Sequence, residues 1–85
     1  MSVVYSIRAS RNTQWYVTIN RWVVCRQLKL APAIKLARQL AREEHAASGR
    51  TVFVELAGEN LSILLAHYPR EAAEFSGADV MSAVA

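Results

Sequence analysis

Hydrophobic and polar positions alternate, break, and alternate again along the chain. Val3 to Arg8 alternates and is rich in β-branched and aromatic residues, which predicts a strand. Ser10-Arg11-Asn12-Thr13 is polar and turn-like. Gln14 to Asn20 is a cleaner strand, with Trp15, Val17 and Ile19 on one face and Tyr16 and Thr18 on the other. Asn20-Arg21 suits a two-residue hairpin turn, and Trp22 to Gln27 is a third strand. The period then changes from two to about 3.6. Pro32 fits the first turn of a helix, where its missing N–H costs nothing. The helix runs to Ser48, with Ile34, Ala37, Leu40 and Ala41 as its apolar stripe and Leu36 widening it. Gly49 is the residue expected just past a helix C-terminus. Thr51 to Leu56 and Leu61 to Tyr68 read as two further strands around Ala57-Gly58-Glu59-Asn60, and Pro69 ends the second.

This order predicts an α+β domain over residues 1–69. It has two layers, an antiparallel sheet and one main helix. The expected helix-facing set is Tyr5, Ile7, Trp15, Val17, Ile19, Val52, Val54, Leu56, Ile63 and Leu65. Val4, Tyr16, Phe53, Leu64, Ala66 and Tyr68 are expected on the other face, among Ser6, Arg8, Thr18, Glu55 and Ser62. An antiparallel sheet with one wet face normally reads more polar there, so this face wants a cover. Residues 70–85 differ in composition, with three acids after Arg70 and many alanines. Ser76 and Asp79 have capping-box spacing, and Phe75, Ala78, Met81 and Ala85 would line a short C-terminal helix. So short a helix is marginal alone and would dock or fray.

Trp15-Tyr16-Val17, the run Ala33 to Arg42, Val52-Phe53-Val54, Gly58 and a closing Tyr68 together resemble a family of small bacterial proteins defined as a domain of unknown function. That family's pattern is W-x-V in an early strand, an alanine-rich helix reading A-x-x-x-A-R-x-[LI]-A-R, and a β-hairpin after it. The resemblance spans roughly residues 3–69. The first turn lacks the family's usual Gly, and the tail has no counterpart. The resemblance implies a small two-layer fold and no activity. In size and helix-then-hairpin order the chain is also similar to small phage-encoded anti-CRISPR proteins, by structural analogy alone.

Composition narrows the function classes. Hydrophobic residues are 53% of the 85 and charged residues 20%, a balance that excludes intrinsic disorder and suggests more apolar surface than one small core hides. No apolar run approaches the roughly 20 residues of a spanning helix, so no membrane insertion is expected. Met1 to Arg8 lacks the charged segment and apolar stretch of a secretory signal. The single cysteine, Cys25, excludes an intrachain disulfide, and a cytoplasmic location is expected.

Catalytic and metal motifs are missing. Cys25 lies in the apolar run Trp22 to Cys25 and reads as a packed thiol. His45, in the last helical turn, and His67, beside Tyr68, read as capping and surface residues. Glu43-Glu44 are adjacent on a helix and point apart. No catalytic residue, metal, cofactor or small-molecule substrate is assigned. The charge map is sharper. Residues 1–42 carry eight basic residues and no acid, whereas residues 43–85 carry seven acids against Arg50 and Arg70. Such asymmetry points to an acidic partner or to association of unlike surfaces.

The expected function is a small non-enzymatic interaction module, in the manner of a phage- or bacterium-encoded inhibitor or regulator. Its candidate partner-binding residues are Arg8, Arg11, Arg21, Arg26, Lys29, Tyr16, Phe53 and Tyr68. A protein partner is favoured over nucleic acid. The first alternative is nucleic-acid binding on an arginine and aromatic platform. The second is a structural homodimer through Tyr16, Phe53, Leu64 and Tyr68, and self-association on that face is expected in any case.

Overall fold

The computed structural model describes residues 2–70; the expected tail helix, with Phe75, Ser76, Asp79 and Met81, lies outside them. Five strands and one helix follow in the order β1 (Ser2–Ala9), β2 (Trp15–Ile19), β3 (Trp22–Leu28), α1 (Leu30–Ser48), β4 (Thr51–Ala57) and β5 (Ser62–Tyr68). The architecture is α+β, with the helix against one face of a single sheet of order β3-β2-β1-β4-β5.

The sheet is mixed rather than wholly antiparallel. β1 pairs antiparallel with β2, β2 with β3 and β4 with β5, but β1 and β4 run parallel, Tyr5 beside Val54 and Ile7 beside Leu56. The cause is the connection. The 19-residue α1 is about 28 Å long at 1.5 Å per residue, enough to carry the chain back along the sheet. The next strand therefore starts at the end where β1 starts. It docks on the free edge of β1, and the N-terminal strand becomes the centre of the sheet.

Helix α1 begins at Leu30, two residues before Pro32. Lys29 is its N-cap and has no side-chain acceptor to cap the helix, and the first helical bond runs from the Ala33 N–H to the Lys29 carbonyl at 3.0 Å. Without a Ser, Thr, Asp or Asn there, the start carries no capping signal. At the other end Gly49 takes a left-handed φ of 71° and donates to the His45 carbonyl. The fully buried helical residues are Ala33, Ala37 and Ala41, one turn apart, while Ile34, Leu36 and Leu40 are half-buried flanks. The expected stripe of Ile34, Ala37, Leu40 and Ala41, widened by Leu36, shares Ala37 and Ala41 with this row and omits Ala33. Alanines let the backbone settle close on the sheet, and the larger side chains spread to either side.

Val3, Tyr5, Ile7, Val17, Val52 and Val54 complete the core, with Trp15, Ile19, Leu56 and Leu65 half-buried against them. Burial, and then the Glu44 and Glu43 carboxylates, push the Tyr5 phenol above its usual value of 10.0. Ile63, expected under the helix, is 48% exposed because β5 is the sheet's outer strand.

The first turn holds two residues with left-handed φ, Asn12 at 61° and Thr13 at 59°, closed by the Gln14 N–H on the Arg11 carbonyl at 3.3 Å. Positive φ at both central residues matches a type I′ turn, which favours Asn-Gly. A left-handed β-branched residue is costly, at about 1–2 kcal/mol for an L-residue. Glycine returns roughly 0.5 kcal/mol of that through the freer unfolded chain. Thr13→Gly is expected to stabilise the fold by about 1 kcal/mol, read in a thermal melt as a rise of about 4–8 °C.

Candidate partner-binding face

The face of the sheet turned away from α1 is built in cross-strand rows. In the first row Tyr16 of β2 lies beside Arg8 of β1, which neighbours Ala57 of β4. In the second, Val23, Thr18, Ser6, Glu55 and Leu64 cross all five strands. In the third, Val4 is followed by Phe53 and His67. Large side chains in the outer rows wall in the small polar ones of the middle row, so Ser6 and Thr18 are buried although no helix covers them.

Two polar groups of the middle row are satisfied and one is not. The Ser6 hydroxyl donates to the Glu55 carboxylate at 2.6 Å. The Thr18 hydroxyl, in a residue only 4% exposed, has no partner among the described residues. Buried hydroxyls are nearly always paired, and an orphan costs about 1–3 kcal/mol on mutational scales. Thr18→Val keeps the shape and removes the orphan. It is expected to raise the unfolding free energy by about 1 kcal/mol in urea titration, whereas a loss would show that the hydroxyl is satisfied in solution.

The arginines gather around Tyr16. One open depression is lined by Arg8, Tyr16, Thr18, Asn20, Arg21 and Val23. A second, sharing Tyr16 and Val23, is lined by Ser10, Gln14, Arg26 and Gln27. A third joins Arg8 and Tyr16 to Gly58 and Glu59. Among the described residues the first two contain no carboxylate. The β2–β3 turn fixes their edge. Asn20 takes φ 54°, its N–H donates to the Val4 carbonyl at 2.7 Å, and its side-chain oxygen accepts from the Val4 N–H at 3.0 Å. That arrangement pins the hairpin tip, and Arg21 with it, to β1. Gln27, in the left-handed region at φ 60°, lies at an irregularity where β3 slips its register against β2 beside Arg26.

The structure thus brings together Tyr16, Arg8, Arg21 and Arg26. Arg11 sits in the exposed β1–β2 turn, and Lys29 stands at the start of α1. Phe53 and Leu64 share the open face, and the Phe53 ring stacks on His67 at 4.6 Å and 5°. Tyr68 does not join them. A register shift between Val54 and Glu55 divides β5, so that Leu64 falls beside Glu55 but Ala66 and Tyr68 fall beside Val54 and Val52 on the helix side. Tyr68 lies 5.8 Å from the His45 ring, and His45 Nε2 lies 2.8 Å from the Pro69 carbonyl oxygen, which fastens the end of β5 to α1. Strict alternation placed Leu64, Ala66 and Tyr68 on one face, and the bulge is the reason it fails. Asn20, Val23 and His67 enter the face beyond the expected residues.

Cys25 is half-buried, and its thiol lies 3.9 Å from the Arg26 carbonyl. Among the described residues no cluster of three His, Cys, Asp or Glu is placed to hold a metal, and no helix is long and apolar enough to cross a membrane. No protein-family model, curated protein or solved structure matches the chain.

Proposed function

We propose that the chain is a non-enzymatic binding module that takes an acidic macromolecular partner on its open sheet face. The observation behind this reading is the convergence of Arg8, Arg21 and Arg26 on Tyr16, in adjoining depressions of which two have no acidic lining. Guanidinium groups stay charged and offer forked donors to carboxylate or phosphate oxygens. An aromatic ring among them adds apolar area at low entropic cost. A second copy is the competing occupant. Leu64, 57% exposed, and the Phe53–His67 pair favour it, whereas a second copy brings its own Arg8, Arg21 and Arg26 to the same face.

The test is retention of the full chain on immobilised heparin. Arg8, Arg11 and Arg21 are exposed, so replacing all three with alanine is expected to change stability by less than about 0.5 kcal/mol per site. The salt needed for elution should fall sharply. Replacing Lys35, Arg38 and Arg42, on the solvent side of α1, removes the same charge and should lower it far less. Equal losses from the two triple variants would reject the face. Light scattering on the same samples reports whether a dimer occupies it instead.

A further inference from the structure

We infer that the depression between Arg8, Arg21, Tyr16, Thr18 and Asn20 is a phosphate subsite for the backbone of a single-stranded nucleic acid, one base of which stacks on Tyr16. The inference rests on the open face being the binding face and names the polymer it takes.

Two observations carry it. Among the described residues the lining is rich in donors and free of carboxylates: two guanidiniums, the Tyr16 hydroxyl, and the Asn20 carboxamide, whose oxygen already accepts from the Val4 N–H and whose NH2 is left to donate. A phosphate, all acceptors and charge, is the complement of such a lining. Next, Tyr16 is shared with the neighbouring depression that holds Arg26, so guanidiniums flank a single aromatic ring on two sides. A single strand presents that order, with phosphates on either side of a flat base. An acidic peptide presents carboxylates without the intervening ring, and a duplex hides its base faces.

The experiment is fluorescence anisotropy on the full chain with labelled single-stranded RNA and DNA of roughly 12 nucleotides. The duplex of the same sequence and a labelled polyglutamate are measured alongside, each at about 50 and 200 mM salt. Single strands are expected to bind at least about tenfold tighter than the duplex and than polyglutamate. Their affinity should fall with salt by a log–log slope of about −0.7 for each phosphate contacted. Arg8→Ala with Arg21→Ala should weaken binding by at least about tenfold and flatten that slope, as loss of phosphate contacts requires. Tyr16→Ala should lose about tenfold with the slope kept, as loss of stacking requires.

Single-strand binding unaltered in the arginine double variant, or matched by the duplex, overturns the subsite. Polyglutamate bound more tightly than either oligonucleotide overturns the subsite and leaves the acidic-partner reading standing. No binding of any of these probes at low salt overturns both.

Discussion

Ile7→Ala is expected to cost about 4 kcal/mol, enough to unfold much of the population near physiological temperature. Ile7 is fully buried in the central strand, with Val17 beside it on β2 and Leu56 on β4. Large-to-small changes at such sites cost about 2–5 kcal/mol, and the upper part of that range applies where neighbours cannot collapse into the space. Strands paired on both sides leave Ile7's surroundings little freedom to do so. A domain of this length has a total stability of roughly 4–13 kcal/mol at 0.05–0.15 kcal/mol per residue, so the loss is a large share of the whole. Urea titration checks it: the midpoint should fall steeply with the slope m unchanged. A loss below about 1 kcal/mol would mean that Ile7 is not at the centre of the core.

Ala37→Leu is expected to destabilise by about 3 kcal/mol, although it adds apolar surface. Ala37 is fully buried between Ala33 and Ala41, where α1 meets the sheet. The extra carbons have no cavity to enter and must push the helix from the strands, a form of overpacking that costs about 1–3 kcal/mol and occasionally more. Leu40→Ala supplies the contrast. Leu40 is only half-buried, so its truncation should cost about 1–2 kcal/mol, near or below the lower end of the core range. If the ranking were reversed, the leucine and not the alanine row would be the seat of the helix.

Much of this architecture is legible in the chain because its periods are clean. Trp15, Val17 and Ile19 alternate with Tyr16 and Thr18, and both sets lie where alternation puts them. Gly49 ends the helix as a left-handed cap because only a residue without Cβ sits there freely. The parallel pairing of β1 and β4 is not legible. Periodicity says which side of a strand is buried, not which strand lies next to it. Tyr68 escapes for a related reason, since a bulge inverts the alternation without leaving a mark in the hydrophobic pattern. At the candidate face, the arginine excess of the first half is plain in the sequence. Its concentration around Tyr16 depends on the β2–β3 turn and on register slips, and neither follows from residue counts. Thr18 reads as an ordinary outward strand threonine until its hydroxyl is seen to lack a partner.

The position of β1 also governs when the domain can form. Its parallel partner begins far along the chain, Ser2 lying beside Thr51. A loop that long must close before the two central strands reward each other, which slows folding relative to helical domains of the same size. On the ribosome, Val3, Tyr5 and Ile7 emerge before the strands that pair with them. They wait with the β2–β3 hairpin and then α1, one edge of β1 unpaired, until residues 51–57 have been made. Over that interval the nascent chain exposes the apolar edge that the finished protein hides most completely. That edge is where a chaperone would engage, or where two unfinished chains would stick together.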